Sequence, residues 1–213
     1  ATQPKLFNPI EKYDRTEEII FAGSWYKQHK ERCIEMERIL DAILNSPYSL
    51  KIYNRQSDNS DPNHEFPEKY LPYVYPRLPH DQLDLAYKAS KYALNINTVN
   101  DSDTMFARRV FELMSSNTLV ISNYSKGMKL LFGDNVVFTD GKEGIDLSRA
   151  DEKREKCLNT VLEQHTYKKR MEQILNDMGI PFLDDTPEIT IIYKVNSVKA
   201  ANRSVNHYFK IDW

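Results

Sequence analysis

Arg108, Arg109 and Glu112 stand at helical spacing within Asp101-Ser102-Asp103-Thr104-Met105-Phe106-Ala107-Arg108-Arg109-Val110-Phe111-Glu112-Leu113. Phe106, Val110, Leu113 and Met114 recur as a buried stripe, and Met105, Arg108, Arg109 and Glu112 fall on an adjacent face. A helix from Phe106 to Ser115 puts both arginines in its first turns, where the macrodipole is positive, and the acid later, so the charges oppose the dipole. An anion resolves this conflict. Two guanidinium groups and free N–H groups at a helix start suit a phosphate, and a carboxylate further along can accept hydrogen bonds from ribose hydroxyls. A solvated Arg108–Glu112 ion pair contributing about 0.3 kcal/mol accounts for the same residues, and on this segment alone both readings stand.

A second cationic station is Gly23-Ser24-Trp25-Tyr26-Lys27, followed by Lys30 and Arg32. The glycine lets the backbone approach a ligand, and the cations stand at the next helix start; a tight turn and a solvated helix face are the plainer accounts. Arg55, in Asn54-Arg55-Gln56, can assist or be a surface arginine. Tyr75-Pro76-Arg77-Leu78-Pro79 can frame a base by stacking and by backbone hydrogen bonds, or simply form a proline-stiffened loop.

Other constellations fail on spacing. Asp58, Asp61, His64 and Glu65 lack the mid-loop glycine and closing glutamate of a calcium hand. His29, His64, His80, His165 and His207 have no metal spacing, Ser24 has no nucleophile elbow, and no Walker pattern occurs. No metal and no cofactor is expected.

These residues must be positioned by alternating elements. Ile19–Ala22, Leu50–Tyr53, Tyr73–Tyr75, Tyr92–Ile96, Thr118–Ile121 and Val136–Phe138 read as strands. Between them lie helical patterns at Cys33–Leu44, at Leu83, Ala86 and Tyr87, at Phe106–Ser115, and at Met128, Leu131 and Phe132. Apolar strands alternating with helices predict an α/β fold, a Rossmann-like doubly wound parallel sheet covered on both faces. The proline-rich excursion from Gln56 to Pro72 replaces a helix. In such a sheet ligands bind beyond the strand ends where strand order reverses, commonly between the first and fourth strands, and both cationic stations follow those strands. Two C-terminal helices, with Cys157, Val161 and Leu162 on the first and Tyr167 to Met178 on the second, stop at Gly179 and Pro181. Ile189–Tyr193 then reads as a strand and Ala200–Phe209 as a helix. The expected division is one domain over 1–180, with a linker and the start of a second domain over 181–213.

The chain has 213 residues, 40% of them apolar, enough for one large core. Lys+Arg at 29 against Asp+Glu at 31 gives a net charge of -2, which argues against a nucleic-acid partner and confines any anion site to a local patch. Cys33 and Cys157, the only cysteines, suit reduced thiols and a cytoplasmic setting, at most at the inner membrane surface. No apolar run reaches the length of a transmembrane segment. A start at Ala1 and an end at Trp213 just after a fresh strand pattern suggest a piece of a longer protein.

At these residues the chain resembles the spore-maturation-type (CgeB-like) glycosyltransferase family, over its C-terminal, nucleotide-sugar-binding half of a GT-B fold. The landmarks, in order, are Phe21-Ala22-Gly23-Ser24-Trp25-Tyr26, Ile52-Tyr53-Asn54-Arg55, Phe66-Pro67, Leu94-Asn95-Ile96-Asn97, Ser102-Asp103-Thr104-Met105, Arg108-Arg109-Val110-Phe111-Glu112, and His165-Thr166-Tyr167 with Arg170. They cover roughly residues 8 to 180. The resemblance implies that Glu112 holds the donor ribose and that Arg109, with Lys27 or Lys30, neutralises the diphosphate. Glu112 also resembles the second acid of the paired-glutamate motif of many GT-B enzymes, with Thr104 where the first acid would stand. The tail from Glu188 to Trp213 is similar to the first strand and helix of a GT-A-type domain.

The function expected from this resemblance is transfer of a sugar from a nucleotide diphosphate, a UDP-sugar, to a carbohydrate or surface-polymer precursor. The candidate nucleotide-sugar-binding residues are Gly23, Ser24, Lys27, Lys30, Arg55, Tyr75, Arg77, Leu78, Thr104, Met105, Arg108, Arg109 and Glu112. A missing N-terminal Rossmann-like half is the expected partner and the source of the catalytic base, so this chain alone is expected to be inactive. The alternatives are a non-catalytic nucleotide- or phosphosugar-binding module and a regulatory domain. The last lacks a phosphate-accepting aspartate at the ends of the first, second and fourth strand runs.

Overall fold

The computed structural model describes residues 1–10, 14–183 and 197–202. The chain divides into two compact units, Ala1–Tyr167 and Lys168–Trp213. In chain order the elements are β1 (Thr16–Gly23), α1 (Lys30–Leu44), β2 (Leu50–Asn54), β3 (Val74–Tyr75), α2 (Leu83–Ala89), β4 (Ser90–Asn95), α3 (Arg109–Ser115), β5 (Leu119–Ser122), α4 (Lys126–Phe132), β6 (Val137–Phe138), α5 (Ala150–Gln164) and α6 (Tyr167–Asp177).

Six parallel strands form one sheet in the order β3-β2-β1-β4-β5-β6, the doubly wound arrangement expected from the alternation of apolar runs and helices. Strand β1 shows why its sequence is apolar at consecutive positions. Ile19 and Phe21 pack with Met36, Ile39, Leu40 and Ile43 of α1 on one face. Ile20 and Ala22 pack with Val110, Leu113 and Met114 of α3 and Val161 of α5 on the other. A strand buried on both sides cannot alternate with polar residues, and each such large side chain contributes about 1.5–3 kcal/mol on burial. Strand order reverses between β1 and β4, so the loops after these two strands meet there.

The segment between β2 and β3 contains two short 3-10 turns, Pro62–His64 and Glu68–Tyr73. It is tied down by Tyr70, whose ring is fully buried and whose hydroxyl donates to Asp41 Oδ1 at 2.8 Å and to the Glu37 carbonyl at 3.1 Å. Its acids serve the loop itself: Asp61 Oδ1 accepts from the Asn63 backbone N–H at 2.9 Å, and Asp58 pairs with Arg77 at 2.5 Å.

One helix differs from its sequence reading. Helix α3 begins at Arg109, three residues later than the periodicity of Phe106 predicts. Phe106 instead joins an aromatic cluster with Phe111 at 5.3 Å and Phe132 at 6.3 Å. The Ala107 N–H donates to the Asn97 side chain at 3.1 Å, outside any helical ladder. The later start puts Glu112 in the first turn, where an acid is favoured, while Arg108 at the cap and Arg109 at the first position still face the positive end of the dipole.

In the second unit, α6 ends before Gly179, whose φ of 67° is the left-handed cap expected of that glycine. The strand expected at Ile189–Tyr193, most of the helix expected at Ala200–Phe209 and all of the GT-A-like segment except residues 197–202 lie outside the described residues.

Candidate functional site

A cavity of about 450 Å³ opens beyond the carboxyl ends of β1 and β2. Its floor is Ala22 of β1 with Leu83 and Tyr87 of α2; its walls are Arg55 and His80 on one side and Ala107, Arg108, Arg109 and Glu112 on the other. A hollow of about 310 Å³ adjoins it through Ala22, Arg55, His80 and Leu83 and continues along Tyr53, Arg77, Leu78 and Pro79. At the opposite end Ala107 also borders an apolar hollow of about 210 Å³ formed by Ile96, Val99, Met105 and Phe106 with Asn97 and Thr98.

The charge balance of the main cavity is one-sided. Arg55, Arg108 and Arg109 face a single carboxylate, Glu112. Glu112 is 7% exposed, and its Oε1 accepts from Arg108 Nε at 3.0 Å. Neither Arg55 nor Arg109 has a carboxylate partner among the described residues. The Arg109 guanidinium lies 5.6 Å from the centre of the Phe21 ring, and its Nη1 is shielded from solvent with no hydrogen-bond partner. Burial draws the Arg109 guanidinium below its ordinary range and pushes the Tyr87 phenol up to about 12, so Tyr87 remains protonated at neutral pH. A partly buried cation with an unused donor, over an apolar floor, is complementary to an anion attached to a flat or apolar body.

Of the residues singled out in the sequence, Arg55, Arg108, Arg109 and Glu112 come together in the main cavity, and Arg77 and Leu78 line the adjoining hollow. Arg77 is exposed and paired with Asp58. The others stand elsewhere. Tyr75 is 45% exposed and packs beside Lys51, whose Nζ is 4.8 Å from its ring centre; Tyr53 takes the place in the lining expected of it. Lys27 pairs with Glu65 at 3.6 Å, and Lys30 is exposed at the start of α1. Ser24 is buried beneath the loop, with its Oγ unpartnered and its carbonyl accepting from Arg32 Nη2 at 3.3 Å. At Gly23 an added Cβ would collide with the ring of Phe21, so the glycine makes room for that ring, and the ring in turn underlies Arg109. Thr104 is exposed, its N–H held by Ser102 Oγ at 3.3 Å, and Met105 borders the apolar hollow.

Sequence reading names Tyr53 and Asn97 only within the family landmarks and misses His80, Leu83 and Tyr87 as lining residues. Leu83 and Tyr87 have core-helix spacing, and nothing in one sequence distinguishes a stripe that packs from a stripe that floors a cavity. The free N–H groups expected at the start of the arginine helix are also mostly engaged: Val110 N–H donates to the Ala107 carbonyl at 3.1 Å and Phe111 N–H to that of Arg108 at 3.1 Å. Attraction for an anion therefore comes from side chains.

Among the described residues no group of three His, Cys, Asp or Glu side chains could hold a metal ion, both cysteines are free thiols, and no helix is long and apolar enough to cross a membrane.

The family model described as glycosyl transferase-like matches residues 5–176. Among solved structures the chain is similar to sucrose-phosphate synthase from Thermosynechococcus elongatus, with a TM-score of 0.56 and 15% identity over 84% of this chain and 51% of that one. It is also similar to a single-substitution mutant of S. aureus TarM, solved with fondaparinux, alpha-GlcNAc-glycerol and UDP, with a TM-score of 0.51 and 15% identity over 80% of this chain and 37% of that one. At this identity the likeness is one of fold, a Rossmann-like half of a GT-B architecture. The chain spans about half the length of the first structure and little more than a third of the second. No curated protein matches it in sequence.

Proposed function

Because the chain belongs to the glycosyl transferase-like family, we propose that residues 1–180 bind the donor of a GT-B glycosyltransferase, a UDP-sugar whose sugar passes to a carbohydrate or surface-polymer precursor. The observation that carries this reading is the cavity in which Arg55, Arg108 and Arg109 converge around one carboxylate, with no acid among the described residues to neutralise Arg55 or Arg109. UDP has matching parts in matching order. Its base lies along Tyr53, Arg77 and Leu78, its ribose against Glu112, and its diphosphate against Arg108 and Arg109. Glu112 presents Oε2 to the ribose hydroxyls while Oε1 stays on Arg108. The TarM structure, of like fold, holds UDP. The ordered landmarks shared with the spore-maturation-type proteins support the same assignment.

As the bond from the anomeric carbon to the diphosphate oxygen breaks, negative charge grows on the leaving UDP. Arginine side chains already aimed at that position stabilise the charge without reorganising, which is the larger part of such catalysis. The acceptor site and the base that takes the acceptor's proton belong to a second Rossmann-like half, with the reaction in the cytoplasm or at the inner membrane surface. Calorimetric titration with UDP, GDP and CMP tests the donor assignment. Binding of UDP in preference to the others is expected, and no binding of any of them at millimolar ligand removes it.

A second reading, a nucleotide- or phosphosugar-binding module without catalysis, is favoured by one feature: Thr104 stands exposed where the paired-glutamate motif has its first acid. Sugar transfer by the complete protein contradicts that reading, and UDP-sugar binding by the complete protein without transfer to any acceptor supports it.

A further inference from the structure

The ends of β4 and β5 carry amides and hydroxyls where a core would use apolar side chains. Asn95, Asn97, Ser122 and Asn123 are each 3% exposed or less. Asn97 is the centre. Its Oδ1 accepts the Ala107 N–H at 3.1 Å, immediately before the two arginines, and its Nδ2 donates to Ser122 Oγ at 3.2 Å. Asn97 is held in turn by Asn123, whose Oδ1 accepts the Asn97 backbone N–H at 2.8 Å and whose Nδ2 donates to the Asn97 carbonyl at 3.0 Å. The same Nδ2 donates to Glu35 Oε2 at 2.7 Å. Glu35 comes from α1, the helix that covers the opposite face of the sheet from α3.

We propose that Glu35 and Asn123 are positioning residues that, through Asn97, fix where the start of α3 presents Arg108 and Arg109. Three features support it. Burying this many polar groups costs stability unless each is hydrogen-bonded, and Asn95 Oδ1 is left without a partner even so. The network reaches Ala107 through Asn97 Oδ1, and Ala107 is the one residue shared by the arginine cavity and the apolar hollow. The rest of the loop is clamped by backbone bonds, from Lys126 N–H to the Asn100 carbonyl at 2.8 Å and from Gly127 N–H to that of Ser102 at 3.0 Å, while the Asn100 side chain joins the same network by accepting from Asn123 Nδ2 at 3.3 Å and donating to Glu35 Oε2 at 3.5 Å. The relay therefore holds the loop at two points, Asn100 and Ala107, and Ala107 is the point that adjoins the arginines. The effect on ligand rests on the donor-site reading above; the relay itself does not.

The test is hydrogen exchange at the Ala107 amide combined with UDP and uridine titrations of Glu35→Ala, Glu35→Gln and Asn123→Ala. For Glu35→Ala, exchange at Ala107 accelerates about tenfold, UDP binds about fivefold more weakly, and uridine changes less than about twofold. Glu35→Gln keeps an acceptor for Asn123 Nδ2 and stays near the parent protein. Asn123→Ala exceeds both effects of Glu35→Ala; should it fail to fold, Glu35→Ala decides alone. Unchanged exchange at Ala107, or equal losses for UDP and uridine, overturns the proposal. If the parent protein binds no UDP, the donor-site reading fails, while exchange at Ala107 still decides the relay.

Discussion

In the proposed donor site Arg109 and Glu112 divide the work of holding a nucleotide, and substitution separates their parts. Arg109→Ala removes a partly buried guanidinium whose Nη1 has no other partner, so UDP weakens by about tenfold or more while uridine, lacking the diphosphate, is little affected. Glu112→Gln weakens uridine and UDP alike, because both carry the ribose. Equal losses of UDP and uridine for Arg109→Ala would show the roles misassigned. Lys27→Ala leaves UDP affinity within about twofold of the parent, since Lys27 is paired with Glu65 away from the cavity lining. At this scale the arginine and glutamate cluster is legible because charge type and helical spacing survive in sequence. The lysines are not separable from it. Their position depends on where the excursion 56–72 folds, and that is set by Tyr70 reaching Asp41 across 29 residues.

Among the elements, the loop before α3 depends on Gly127 at the start of α4. A Cβ there would lie 2.8 Å from the Asp103 carbonyl oxygen and 3.1 Å from the Phe106 ring. Backbone cannot retreat as a flexible side chain can, so Gly127→Ala costs about 1–3 kcal/mol of stability. Urea unfolding measures this; an unchanged midpoint would mean that the loop is not packed against α4. The strands and most helices are readable from their apolar runs, since a strand covered on both faces has few other ways to be written. The start of α3 departs from its periodicity by three residues because Phe106 keeps the helical period while packing from outside the helix. That cluster and the Asn97 contact join residues distant in sequence, and periodicity cannot register such bonds.

For the whole molecule, burial of weak acids makes stability decline at alkaline pH. Burial pushes the Cys157 thiol from its ordinary 9.0 up to about 12 and the Tyr87 phenol from 10.0 up to about 12; Tyr92 is raised as well, by burial and by Glu17. The unfolded chain releases these protons at the ordinary values, so above about pH 9 the folded state holds more protons. Their contribution to stability is complete below about pH 9 and is lost as pH climbs towards about 12. The thermal midpoint should accordingly fall with rising pH between about 9 and 12, and less steeply between about 10 and 12 in Tyr87→Phe; identical slopes would show that Tyr87 is not buried as a neutral phenol. The single sheet of the described residues leads to a second prediction. A GT-B active site needs two Rossmann-like halves, and the described residues provide one six-stranded sheet, so incubation with labelled UDP-sugars and acceptors should yield no transfer; UDP release coupled to a glycosylated product would contradict this. Fold class is legible at this scale from alternation alone, whereas the donor is a matter of cavity shape, which alternation does not encode, and its assignment here is a proposal. The most direct measurement is a crystal structure of the chain with UDP. The account predicts the diphosphate against Arg108 and Arg109, the ribose on Glu112 and the base beside Tyr53 and Leu78. UDP seated away from the arginines, or with its base in their place, would contradict it.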